Sequence, residues 1–196
     1  MNKLVIFGIL CEDKAHRNFI HHYLTACFPD TFLENEAFGW QIRASNAKEV
    51  DDSISDATRL GFTKYQLDVL IVGRDADTTQ PKRIDELKIK HDAACGGHPK
   101  VVFMIPVQCI EHWLLYIKNH QENPSSTKNQ TLETIIRREC KRLVYGEIKK
   151  PDHQVEIASS LLIGFDSDWL EQRSESFKKF HNQVKAFLAS YADSNL

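Results

Sequence analysis

Three carboxylates fall where strands should end. Glu12 follows the apolar run Leu4-Val5-Ile6-Phe7-Gly8-Ile9-Leu10, and Asp75 and Asp77 follow Leu67-Asp68-Val69-Leu70-Ile71-Val72-Gly73. In an open parallel sheet, ligands bind in the crevice beyond the carboxyl ends of the strands. Two acids one residue apart, joined by a third from another strand, make an all-oxygen site. Such a site suits Mg²⁺ (or Mn²⁺), held by a few carboxylates with water and substrate phosphates. Carboxylates this close repel each other unless a cation or a proton lies between them. A divalent ion there polarises a phosphoryl oxygen, lowers the pKa of bound water, or orients attacking and leaving oxygens. Glu12 is either a further ligand or a general base acting on water.

Each signal alone has a plainer explanation. Asp-x-Asp after a strand is often a loop leading to a helix cap, and an acid that begins a helix is favoured by the macrodipole. The joint pattern carries the weight: strand, Glu, helix, then strand, Asp-x-Asp, helix, within one unit.

The elements that must position these acids are legible as hydrophobic periodicity. Residues 3–10 form a continuous apolar run, which suits a strand covered on both faces. Lys14 to Cys27 has helical spacing in Phe19, Ile20, Tyr23, Leu24 and Cys27, and Pro29 follows it. Gly39 to Ala44 is expected to be a second strand. Ser45 or Asn46 caps a helix running to about Leu60. Val69 to Gly73 is a third strand, Ile84 to Ala94 a helix, Val101 to Ile105 a fourth strand, and Ile110 to Ile117 an apolar helix. Alternating strands and helices predict an α/β fold with a mostly parallel, Rossmann-like sheet.

His120 to Gln130 is polar and aperiodic and predicts a loop or hinge. Helical spacing resumes after it. Leu132, Ile135, Ile136, Cys140, Leu143 and Val144 make one face, Val155 to Ile163 a short helix, and Ser174 to Tyr191 a longer one. The expected organisation is an α/β core over residues 1–119 and a helical C-terminal extension over 120–196, packed on that core.

Composition bounds the chemistry. The 196 residues are 42% apolar and 27% charged, ordinary for a soluble globular chain, and the net charge is −2. That charge supplies no global attraction for a polyanion, so nucleic acid would need a local basic patch or a bound cation. Five cysteines without a CxxC pair argue against a disulfide framework and a zinc ribbon. No signal-peptide pattern and no membrane-length apolar run is present, so a cytoplasmic location is expected. A P-loop, a dinucleotide fingerprint and a Gly-x-Ser-x-Gly elbow are all absent.

The motifs resemble a known family. Cys11-Glu12-Asp13-Lys14 and Asp75-Ala76-Asp77 are similar to the two signature motifs of TOPRIM domains, which occur in topoisomerases, bacterial primases, small nucleases and overcoming-lysogenization-defect (OLD) nucleases. A stand-alone bacterial TOPRIM-like family related to the OLD nucleases is the closer match. Its strand–Pro–Glu-x-Trp-Leu-Leu signature resembles Ile105-Pro106 through Glu111-His112-Trp113-Leu114-Leu115, and Arg173 to Phe180 also resembles its C-terminal part. The resemblance implies a TOPRIM-like core and metal-dependent phosphoryl chemistry on nucleic acid, with Glu12, Asp75 and Asp77 in the site. One position departs from the pattern: TOPRIM domains usually have Gly after the Glu, where this chain has Asp13. That residue either adds a carboxylate or repels a phosphate.

Further candidates follow. Glu111 is either a fourth metal ligand or supporting acid, or a helix-start acid favoured by the dipole. Lys14 is a phosphate contact or a solvated lysine, and Arg74 reads slightly better as a surface arginine than as an orienting one. Residues 137–150 hold the strongest basic cluster, with Lys149 and Lys150 the preferred phosphate contacts. Trp113 reads as core. His153 carries little weight as a proton donor, and His91, Cys95 and His98 make only an incomplete zinc set.

The expected activity is therefore a Mg²⁺-dependent nuclease, a phosphodiester hydrolase acting on DNA or RNA. Glu12, Asp75, Asp77 and Glu111 would do the chemistry, and Lys14, Lys149 and Lys150 would hold substrate. By analogy with related TOPRIM proteins it would serve antiviral defence beside an ATPase partner. The alternatives are a non-catalytic regulatory or nucleic-acid-binding subunit, and a phosphotransfer enzyme acting on a small nucleotide.

Overall fold

The computed structural model describes residues 4–125, 131–148 and 150–193. Among these, four strands form one all-parallel sheet in the order β2-β1-β3-β4, where β1 is Val5–Cys11, β2 Phe32–Glu34, β3 Val69–Gly73 and β4 Val101–Met104. Helix α1 (Lys14–Cys27) connects β1 to β2, and α2 (Glu36–Gln41) and α3 (Ala47–Thr63) lead to β3. Helix α4 (Pro81–Ala94) joins β3 to β4, and α5 (Glu111–Glu122) leaves β4. A 3₁₀ turn (Leu132–Thr134) then precedes α6 (Arg137–Tyr145), α7 (Pro151–Leu162), α8 (Ser167–Glu171) and α9 (Glu175–Asp193). No helix among the described residues is long and apolar enough to cross a membrane.

Strand alternation divides the interior into two layers. Val5, Phe7 and Ile9 of β1, Val69 and Ile71 of β3, and Val102 and Met104 of β4 share one cluster with α1, α5 and the C-terminal helices. Leu10, Leu70, Val72, Val101 and Phe103 face the other way, against Val50, Ile54 and Ala57 of α3. Both faces are covered, which is why the strands read as unbroken apolar runs. Gly8 is required by close packing, since a Cβ there would come within 2.6 Å of Leu67 and Phe38 side-chain carbons.

The edge of β4 is closed by a side chain. Phe103 N–H donates to Gln183 Oε1 at 3.0 Å, and Gln183 Nε2 donates back to the Phe103 carbonyl at 3.1 Å. The amide of α9 thus occupies the place of a fifth strand and blunts an exposed edge.

Several expected boundaries shift. The segment 39–44 is not a strand: Asn35 caps α2 by accepting the Phe38 N–H at 3.0 Å, Phe38 buries itself in the core, and the strand lies earlier at Phe32–Glu34. Asn46 caps α3 as expected, accepting the Glu49 N–H at 3.0 Å, and the Glu49 carboxylate accepts from the Ser45 N–H and the Asn46 side-chain amide. Helix α5 continues to Glu122, across the expected 119/120 boundary, and one core includes residues from both sides of it. Residues 126–130 of the expected loop lie outside the described residues. Ile136 is extended and exposed rather than on a buried helical face, because α6 begins only at Arg137 and buries Cys140, Val144 and Tyr145. Helix α8 is an element that periodicity missed; at five residues it is too short to show a period.

Candidate metal centre

Strand register builds the floor of the site. Cys11, Gly73 and Met104 lie level across β1, β3 and β4, so the residues after them emerge together above the sheet. From β1 the chain first moves to β2 on one side, then returns past β1 to β3 on the other. The gap between β1 and β3 is therefore the topological switch point, where α/β sheets bind ligands. Glu12 N–H donates to the Gly73 carbonyl at 3.1 Å, and Glu12 Oε2 accepts the Asp75 N–H at 3.1 Å. Asp75 is 1% exposed, and its Oδ1 accepts the Ile110 N–H at 2.9 Å.

The third member of the cluster is His16, one turn into α1 and fully buried. Asp13 caps that helix: its Oδ1 accepts both the His16 backbone N–H at 3.0 Å and the ring Nδ1–H at 2.8 Å. The opposite ring atom, Nε2, lies 2.9 Å from Asp75 Oδ1 but is not aligned for a hydrogen bond. Ligand atoms of Glu12, His16 and Asp75 all lie within 4.8 Å of one another, and this group could hold a metal ion. A histidine fixed by a carboxylate on one nitrogen, with the other nitrogen facing acids, is a common arrangement around metal ligands.

Electrostatics follow from that crowding. Burial opposes charge on the His16 ring, but Asp75 and Asp13 outweigh it and hold its pKa well above the ordinary value. Burial likewise works against the Asp13 carboxylate, yet its bonds to His16 bring it down to about 2. Burial, and after it the charge of Asp75, push Glu12 up. Asp13 thus stays outside the cluster: its side chain is partly exposed but committed to His16.

A cationic wall closes the site from α6. Arg137 Nη2 lies 3.0 Å from Asp75 Oδ2 and 3.9 Å from Glu12 Oε1, while Nη1 pairs with Asp77. One turn later, Lys141 Nζ lies 3.2 Å from Glu111 Oε1, and Tyr145 O–H donates weakly to that oxygen at 3.5 Å. Residues four apart share a helix face, so 137, 141 and 145 meet the acids together. The segment that delivers them is tied down in two places. Gln108 Nε2 donates to the Glu133 and Ile135 carbonyls at 2.7 and 2.8 Å, and His112 Nε2 donates to Ile135 at 2.8 Å.

Asp77 departs from expectation. The backbone turns at φ 54° there, a left-handed conformation uncommon outside glycine, so the side chain does not continue the direction of Asp75. It pairs with Arg137 Nη1 and loosely with Arg74 Nη1, is about two-fifths exposed, and does not belong to the Glu12–His16–Asp75 group. The converging set is one imidazole and two carboxylates rather than three carboxylates.

The remaining candidates fall as follows. Glu111 begins α5, as the helix-start alternative expects; it is buried beside Lys141, with Oε2 unpartnered, and is not one of the Glu12–His16–Asp75 group. Lys14 is exposed and loosely paired with Asp152 at 3.7 Å. Lys150 is exposed just before α7 and does not line the crevice beside Glu12, and Lys149 lies outside the described residues. Arg74 is no surface residue: its Nε lies 2.9 Å from Asp51 Oδ1, and Nη1 donates to the Asp75 carbonyl. Trp113 is core, donating to Ser176 Oγ at 2.8 Å. His91 is committed to Asp51 at 2.8 Å, and His98 stacks on Phe62, so the incomplete zinc set does not form.

His16, Arg137 and Lys141 are the site residues that sequence reasoning missed. The signal for the last two was their four-residue spacing inside the basic run. For His16 it was a position three after a capping Asp, where the side chain returns over the helix start. Comparison with protein-family models, curated proteins and solved structures returned no match.

Proposed function

We propose that this chain is a metal-dependent nuclease of TOPRIM-like design, hydrolysing phosphodiester bonds of DNA or RNA. The observation that carries the reading is the convergence of Glu12, His16 and Asp75 at the sheet's switch point beneath Arg137. The donor set fits a divalent ion, since it offers two carboxylates and a ring nitrogen without another hydrogen-bond partner. One nitrogen among the donors favours Mn²⁺ over Mg²⁺, which prefers oxygen alone. When bound, such an ion polarises a phosphoryl oxygen and lowers the pKa of a coordinated water.

The chain's own residues supply the rest. To ligate through Nε2, His16 must release the ring proton that its two carboxylates stabilise, while Asp13 keeps Nδ1–H in place. Arg137 presents a guanidinium to the charge on the phosphoryl oxygens during in-line attack, the usual electrostatic role of arginine in phosphoryl transfer. Water adds to phosphorus, the bond to the leaving oxygen breaks, and that oxygen takes a proton from solvent water. Glu12, raised by burial, accepts the proton of the attacking water or serves as ligand. Lys141 and Tyr145 hold Glu111 behind this centre as a supporting acid. The resemblance alone extends the reading to a cytoplasmic effector of antiviral defence working with an ATPase partner.

One observation favours a second reading, a nucleic-acid-binding subunit without chemistry. Arg137 and Lys141 already neutralise the acids, as they would in a site that never takes a metal. A cleavage assay on DNA and RNA with Mn²⁺ and with Mg²⁺ decides between them. The nuclease reading expects metal-dependent cleavage that is abolished by Asp75→Ala and Glu12→Gln; cleavage unchanged in both variants, or absent with every metal, removes it.

A further inference from the structure

Beside the acid centre, on the β2 side, lies a crevice of about 690 Å³. Glu12, Asp13 and Lys14 form one wall, and Trp40, Ile42 and Arg43 form the other. Trp40, at the end of α2, is 73% exposed, the most exposed of the large apolar side chains among the described residues. Leaving an indole in water forgoes the burial that normally stabilises it, and nothing in the fold of α2 requires it, because Phe38 already anchors that helix. The ring is nevertheless held: the Arg43 guanidinium lies 4.4 Å from its centroid, and Arg43 Nε–H donates to the Gly39 carbonyl at 3.1 Å.

The charges around the crevice separate by role. Glu34 and Glu36 also line it: Glu34 is occupied by Arg17 at 2.5 Å and His21 at 2.8 Å, and Glu36 is an exposed acid at the start of α2. Lys14 and Arg43 remain at the rim, with only a weak exposed pairing of Lys14 to Asp152. A flat aromatic platform flanked by cations, in a crevice that Glu12 of the proposed centre also lines, matches a nucleotide with its base stacked and its phosphate near that acid.

We propose that Trp40 is a stacking platform for an unpaired nucleobase next to the scissile phosphate, so that the substrate class is single-stranded nucleic acid. A duplex keeps its base faces stacked internally and cannot offer one to the indole. The inference rests on the nuclease reading for what happens beside the platform. The stacking itself does not depend on cleavage.

The test measures binding of an end-labelled single-stranded oligonucleotide and of its blunt duplex by fluorescence anisotropy in EDTA, with intrinsic tryptophan emission read in parallel. The expected result is preference for the single strand, quenching of the exposed indole, and roughly tenfold weaker single-strand binding in Trp40→Ala with binding retained in Trp40→Phe. Duplex binding should change little. Equal affinity for both forms, or unchanged single-strand binding in Trp40→Ala, overturns the proposal. Because EDTA removes cleavage, a stacking signal without any metal-dependent cleavage upholds the platform and rejects the nuclease; cleavage without a Trp40 effect does the reverse.

Discussion

Arg137 and Asp75 meet at 3.0 Å although 62 residues separate them, and the pair joins the start of α6 to the end of β3. The carboxylate is 1% exposed, whereas the arginine side chain is 38% exposed. The arginine therefore supplies the acid centre with a cation that keeps partial access to solvent.

A cation held by Glu12, His16 and Asp75 would neutralise carboxylates that this guanidinium already pairs with. Arg137→Ala should cost about 1–2 kcal/mol of stability without metal, less than a fully buried pair because solvent screens the guanidinium. On the nuclease reading, the same variant should bind Mn²⁺ more tightly than wild type and cleave more slowly, since it loses both the repulsion and the charge that would face the phosphoryl oxygens. Calorimetric titration with Mn²⁺ and single-turnover cleavage check the two halves. Weaker metal binding in the variant would show that Arg137 orders the ligands instead.

The ligand set can be read by substitution. Asp75→Asn and His16→Gln should lower Mn²⁺ affinity at least about tenfold, and Asp13→Asn about 10- to 100-fold through the ring it orients. Asp77→Asn should leave the affinity nearly unchanged, because its carboxylate pairs with Arg137 and Arg74 and is not one of the converging ligand atoms. Equal losses from Asp75 and Asp77 variants would restore the three-carboxylate arrangement.

His112 gives a pH dependence. Its Nδ1 lies 3.1 Å from the Cys109 carbonyl and its Nε2 2.8 Å from that of Ile135, so acceptors face both ring nitrogens and favour the charged form. Burial opposes that charge, but the Cys109 thiol and the two carbonyls prevail and raise the pKa to about 9 from 6.5. A group raised on folding contributes stability that is complete below the unfolded value and is lost as pH rises through the folded one. Urea unfolding should therefore show wild type weakening between pH 6.5 and about 9 relative to His112→Gln. Parallel profiles for the two proteins would contradict this.

Gly8 tests the sheet packing beneath the site. Gly8→Ala should destabilise by about 1–3 kcal/mol, as overpacked cores do, since its Cβ would come within 2.6 Å of Leu67 and Phe38 carbons. A denaturant midpoint equal to wild type would mean that both side chains move aside freely.

Much of this is legible in the sequence. The runs at 4–10, 67–73 and 101–105 became strands because both faces of the sheet are covered, and an unbroken apolar stretch of that length has few other uses. Glu12 and Asp75 met because level parallel strands bring the residues after them to one place. The second strand was misplaced because β2 is a three-residue edge, too short for alternation to show.

What the sequence determined was therefore local: apolar period, caps such as Asp13 and Asn46, and acids at strand ends, each set by neighbours within a turn or a pleat. What only the tertiary structure decided was which charges meet. The left-handed turn at Asp77 sends one expected ligand aside, α1 supplies His16 in its place, and the bonds from Gln108 and His112 to Ile135 bring Arg137 and Lys141 over the acids. Ion pairing acts over a few ångströms of space and is indifferent to distance along the chain, so no spacing pattern encodes it.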